Sequence, residues 1–145
     1  MDFLTALNIS SSALSAQRLR LDVISSNLAN INTTNTPEGG PYRRREVVFA
    51  SQPVTDNFGE VLNSEMEKNL RKVEVVDVII DRRPPKMIYD PQHPDANASG
   101  YVGMPDINVM EEMVNILSAT RSYEANVAVI NATKSMAAKA LEIGR

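Results

Sequence analysis

The chain has 145 residues, 43% of them hydrophobic, no cysteine and a formal net charge of −3. That is enough for one ordinary domain, or for a small domain with long appendages. The acidic balance argues against a nucleic-acid binder that works by neutralising phosphates. The missing cysteine excludes disulfides, thiolate catalysis and cysteine-ligated metal.

The first segment, from Met1 to about Ile31, has the pattern of a helix that Asp2 can cap. Leu7, Leu14, Leu21 and Leu28 recur every seven residues, and Phe3, Ile24 and Ile31 fall at companion heptad positions. Ser10 and Gln17 interrupt that companion row, and Ala6, Ser11, Ala13 and Ala16 flank the seam. Such a helix packs closely but weakly, and alone it is marginal in water. Asp2 is the first charge, so no basic leader precedes the apolar residues, and no run of about 20 apolar residues follows anywhere. The expectation is a chain with neither a cleaved signal peptide nor a membrane span.

From Asn27 to Pro41 the residues are mostly Asn, Thr, Pro and Gly, which end helices and make turns. The middle then changes character. Arg44 to Ala50 and Val73 to Ile80 are expected strands, and Lys86 to Tyr89 another short one. Phe58 to Arg71 fits either a short helix or an irregular loop, and Pro91 to Gly103 is expected to be a polar loop. The sum is a β-rich insert of three to five strands.

The last segment, about Asn108 to Leu141, predicts one long helix. Asn108 and Glu111 resemble a capping box, and no Gly or Pro occurs between Met110 and Ile143; Gly144 supplies the stop. Steps of four and three from Val109 reach Met113, Ile116, Thr120, Tyr123, Val127, Ile130, Lys134, Ala137 and Leu141. At about 1.5 Å per residue this helix is roughly 50 Å long, and it needs a partner of similar length. The N-terminal leucine helix is that partner. The expected fold is therefore α+β: two long terminal helices pairing as an antiparallel coiled coil, with a small β-rich insert between them. The divisions are an N-terminal coiled-coil helix over 1–32, a β-rich middle over 33–105 and a C-terminal coiled-coil helix over 106–145.

Sites for chemistry are sparse. His93, the one histidine, lies near Asp90 and Asp95 in a Pro-rich stretch that fits a turn better than a metal site. Glu111 and Glu112 are adjacent on a helix and point apart, so they suit the helix dipole rather than a catalytic dyad. Arg43, Arg44 and Arg45 read as a solvated or ion-paired strand end, or as a contact to an acidic neighbour. No catalytic residue, cofactor, metal or small-molecule substrate is expected. Leu19, Val23, Val114, Leu117 and Val129 lie off the seam, and apolar surface of this kind marks an interaction site. A soluble coiled-coil adaptor or an amphipathic membrane-surface protein is the alternative, although neither helix has a Lys/Arg-rich polar face.

Several stretches resemble the flagellar basal-body rod proteins. They include Ser12-Ala13-Leu14-Ser15-Ala16-Gln17-Arg18, Asn27-Leu28-Ala29-Asn30-Ile31-Asn32-Thr33 and Gly39-Gly40-Pro41-Tyr42-Arg43-Arg44. Tyr89 to Ala96, Gly100 to Pro105, Val109 to Val114, Ser122 to Val127 and Lys139 to Arg145 complete the set. The Gly-Gly-Pro-Tyr and Asp-Pro-x-His-Pro stretches are most similar to the proximal-rod branch. The resemblance implies a structural subunit of the proximal rod in the periplasm. It implies export by the flagellar type III apparatus without signal cleavage, and assembly through the terminal helices into a torque-transmitting tube. The implied partners are copies of the chain, other rod subunits and neighbouring basal-body proteins, with no nucleic acid. The residues expected at subunit or helix interfaces are Leu7, Leu14, Leu21, Asn27, Leu28 and Asn30, with Met113, Ile116, Tyr123, Val127, Ile130 and Leu141.

Overall fold

A computed structural model describes residues 3–54 and 70–143. Its elements are α1 (Phe3–Ala29), β1 (Arg45–Pro53), β2 (Arg71–Ile80), β3 (Lys86–Tyr89), β4 (Tyr101–Met104) and α2 (Val109–Ile143). The fold is α+β: two long helices lie side by side, with a small antiparallel β insert between them in sequence. Asn27 near the end of α1 meets Glu112 at the start of α2, while Phe3 and Ala6 share a groove with Val129 and Leu141. The helices therefore run antiparallel.

The N-terminal helix ends two residues short of the expected Ile31, and Asn30 is the reason. Its backbone N–H and its side-chain amide both donate to the Ser26 carbonyl, at 3.1 and 2.8 Å. Its own side-chain oxygen accepts from the Thr33 hydroxyl at 3.1 Å. The Ser26 carbonyl thus takes a side-chain donor beside its last helical bond, and the chain turns off. Gly39 and Gly40, at φ 91° and 78°, make the reversal that returns Tyr42 under the end of α1, where its N–H donates to Thr33 at 3.0 Å.

The long strands β1 and β2 form an antiparallel ladder from Arg45 opposite Ile80 to Pro53 opposite Arg71, with a bulge beside Val48 and Phe49. This ladder lies along α1; the Val73 N–H donates to the Ser12 hydroxyl at 3.3 Å. The short strands β3 and β4 form a second, separate sheet. The expected polar loop over 91–103 is therefore shorter: Tyr101 onward is strand, pairing Tyr89 with Tyr101 and Lys86 with Met104. The reason is a cross-strand aromatic pair, the two tyrosine rings meeting edge-on with centroids 5.3 Å apart. Gly100, at φ 79°, makes the turn beneath them; a Cβ there would stand 2.9 Å from the Tyr89 ring.

Asn108 caps α2, its side-chain oxygen accepting from the Met110 N–H at 3.0 Å. The Glu111 carboxylate, expected to close a capping box, instead lies 3.9 Å from the Arg44 guanidinium. The Asp2 cap, the Gly144 stop and nearly all of the 58–71 stretch lie outside the described residues. Arg83 ties the turn after β2 to the approach of α2, pairing with Asp81 at 2.6 Å and Asp106 at 3.3 Å. Its hydrogen bond holds the Asp81 carboxyl below the usual carboxylate range.

Candidate functional site

Where α1 ends, β1 begins and α2 begins, three buried polar side chains converge. Asn27 is fully buried. Its amide group donates to the Arg45 carbonyl at 2.8 Å and to Glu112 at 3.2 Å. Its oxygen accepts from the Arg45 N–H at 2.9 Å and from the Tyr42 hydroxyl at 3.1 Å. Both donors and both acceptor positions of the amide are used. Glu112, also fully buried, accepts from Arg44 Nε at 2.8 Å. Arg44 further reaches Glu46 at 3.1 Å. Burial opposes the charge on Arg44, but the hydrogen bonds and charges of Glu112 and Glu46 outweigh it and raise its pKa above the ordinary arginine value. Every polar group of this joint is spoken for within the chain, so it holds elements together and leaves no free group for chemistry.

The triple-arginine stretch divides accordingly. Arg44 is turned inward onto Glu112, whereas Arg43 and Arg45 are exposed, with the Arg45 guanidinium 5.7 Å from the centre of the Tyr42 ring. Sequence reasoning assigned Glu112 to the helix dipole and missed its burial. No local spacing signals it, since Arg44 and Asn27 stand 68 and 85 residues away.

The residues expected at interfaces distribute over distinct surroundings. Leu7, Leu14, Leu21 and Leu28 are all half-buried. The deepest positions of α1 are Ser10, Ala16, Ile24 and Asn27, and Ser10 and Ile24 belong to the companion row rather than to the leucine row. On α2 the deepest are Glu112, Ala119 and Thr133. The centre of the contact thus runs beside Ile116, Val127 and Ile130, which are half-buried, rather than through them. Four of these seven deepest residues, Ser10, Ala16, Ala119 and Thr133, are small, which lets packed elements approach closely, and the leucines flank them. Met113, Tyr123 and Leu141 are exposed at 50%, 36% and 76%. Asn30 caps α1 and Asn27 belongs to the joint.

The outward surface of the helix pair is apolar in two places. Near the joint, Met110, Met113, Val114 and Leu117 recur at helical spacing on the face of α2 away from α1, each at least half exposed. At the open end, Phe3, Ala6, Val129, Met136, Ala137 and Leu141 line a groove between the two helices. Among the described residues no helix is long and apolar enough to cross a membrane. His93 sits in a turn: its ring nitrogen Nδ1 accepts from the Asp95 N–H at 3.1 Å, and Asp95 in turn accepts from the Thr34 hydroxyl at 2.6 Å. Those contacts fasten the 90–97 loop to the loop after α1.

Two families match the helical ends. Residues 7–35 match the family described as flagella basal body rod protein, and residues 98–143 the one described as flagellar basal body rod FlgEFG protein C-terminal. The chain is 48% identical to the flagellar basal-body rod protein FlgC of Bacillus subtilis, covering 97% of both chains. It is 44% identical to FlgC of Borreliella burgdorferi, over 99% of this chain and 98% of the relative. With FlgC of Salmonella typhimurium it shares 42% identity over the whole of both. The exposed helix faces, the absorbed polar joint and this full-length similarity agree: the chain belongs to the flagellar basal-body rod protein FlgC family and is a structural subunit of the basal-body rod.

Proposed function

We propose that the chain works mechanically and without catalysis, as a proximal-rod subunit whose paired terminal helices pack against those of neighbouring rod subunits. In this reading copies of the chain and other rod proteins form a helical tube that passes torque outward. The β-rich insert braces the tube from the side. The chain reaches the periplasm unfolded, through the flagellar type III apparatus, and no signal peptide is cut from it. The observation that carries the reading is the exposed apolar surface of the helix pair, with Leu4, Met110, Val114, Leu117, Met136 and Leu141 each 60–76% exposed. Surface of this kind is stable in water only when it is covered. A tube needs one flank of a subunit to fit a different flank of the next, which gives heterologous contacts that continue rather than close.

The test is assembly. Leu14→Asp and Tyr123→Asp put a charge on the helix pair and are expected to block rod formation while the β insert keeps its fold. Swimming in soft agar and the recovery of intact basal bodies read this out. Normal motility in both variants would remove the helices from the assembly surface.

A further inference from the structure

Asparagine followed two residues later by Ser or Thr is the acceptor pattern for transfer of a glycan to the asparagine amide, provided that the residue between is not Pro. The chain carries four such triplets: Asn8-Ile9-Ser10, Asn32-Thr33-Thr34, Asn97-Ala98-Ser99 and Asn131-Ala132-Thr133. The fold separates one from the others. Ser10 and Thr133 are buried on α1 and α2, and the Thr133 hydroxyl donates to the Val129 carbonyl at 2.7 Å. The Thr34 hydroxyl donates to Asp95 at 2.6 Å. Each of these hydroxyls is covered or spent. Asn97, Ala98 and Ser99 are all exposed, on the turn that leads into β4, and the Ser99 hydroxyl has no partner among the described residues.

Asn97 itself is held with its reactive atom free. Its side-chain oxygen accepts from the Ser99 and Tyr101 N–H groups, both at 2.9 Å, while its backbone N–H donates to the Tyr101 carbonyl and its carbonyl accepts from the Gly100 N–H. Two N–H donors on one side of the amide fix which atom is the oxygen, so Nδ2 is the unengaged end. Asp95, also exposed, adds a carboxylate two residues ahead; the corresponding positions of the other triplets are Ala6, Asn30 and Val129. A carboxylate at a fixed offset is a handle that an arginine of a transferase can read. We propose that Asn97 is an N-glycosylation site, modified by a bacterial oligosaccharyltransferase from a polyprenyl-diphosphate-linked oligosaccharide. In the transfer the Nδ2 lone pair forms a bond to the anomeric carbon, the bond from that carbon to the diphosphate oxygen breaks, and the diphosphate leaves with the electron pair. Nδ2 gives up one proton to a carboxylate of the transferase. Asn97 lies in neither helix, so the glycan adds no bulk to α1 or α2 themselves. The site rests on the geometry of the insert, and it uses the export reading above only for the compartment in which transfer takes place.

Transfer to the purified full-length chain tests this, with a bacterial oligosaccharyltransferase and the lipid-linked oligosaccharide as donor, read by intact mass and by peptide mapping. The assay involves no assembly, so its outcome is independent of the rod reading. The native chain is expected to gain one glycan, at Asn97. Asn97→Gln and Ser99→Ala are expected to gain none. Ser99→Ala keeps the backbone N–H that holds Asn97, so its loss of transfer reports the hydroxyl and not a broken turn. Ser99→Thr is expected to be modified like the native chain, and Asp95→Asn on the order of tenfold more slowly. A native chain left unmodified while an acceptor peptide alongside it is modified would overturn the proposal. So would a glycan that persists in Asn97→Gln at Asn8, Asn32 or Asn131, because neither the free hydroxyl nor Asp95 would then select the site.

Discussion

Asn27 shows how one side chain can close several accounts at once. It satisfies the backbone of Arg45 on both sides, the Tyr42 hydroxyl and the Glu112 carboxylate. Asn27→Ala leaves those buried groups short of a partner without changing the helix propensity of α1 for the worse. A buried group deprived of its hydrogen bond costs more than the bond itself contributed. The expected loss is about 3 kcal/mol, read as a lower urea midpoint at unchanged slope. The motif around Asn27 pointed to the residue, but not to this role. An amide in a helix becomes informative only when the groups it faces are known, and here they come from β1 and α2.

At the scale of elements, the helices were legible and their contact line was only partly so. The absence of Gly and Pro and the seven-residue spacings located both helices and their antiparallel pairing. Hydrophobic periodicity, however, finds the bulky residues, and these flank the line of closest approach. Gln17 illustrates the difference: its side-chain oxygen is buried with no hydrogen-bond partner among the described residues. Gln17→Leu removes that unmet group and is expected to stabilise the isolated chain by about 1 kcal/mol, measured by thermal or urea unfolding. In the insert, alternation and β-branched residues marked β1, β2 and β3. The strand β4 escaped because four residues containing a glycine carry little pattern, and its pairing rests on Tyr101 finding Tyr89 across the turn.

For the whole molecule, the folded interior and the proposed assembly surface draw on different residues. The joint and the small-residue contact line face inward, whereas Met110, Met113, Val114 and Leu117 face outward. Leu117, 60% exposed, makes the separation measurable. Leu117→Glu is expected to change the unfolding free energy of the purified chain by less than about 0.5 kcal/mol, as surface substitutions do. The same change is expected to lower motility sharply, through lost packing between subunits. A large loss of stability with normal swimming would reverse the assignment and place Leu117 in the core of the chain itself.

The amino-acid sequence alone determined the kind of molecule. Two terminal helices with seven-residue repeats and a β-rich insert are properties of spacing and composition, which local sequence records directly. Tertiary structure decided what those helices are held by. Whether Glu112 is a solvated acid at a helix start or a fully buried partner of Arg44 depends on residues 68 and 85 positions away. The convergence of Asn27, Arg44 and Glu112 in space, which no local spacing records, is what joins the end of α1 to the start of α2.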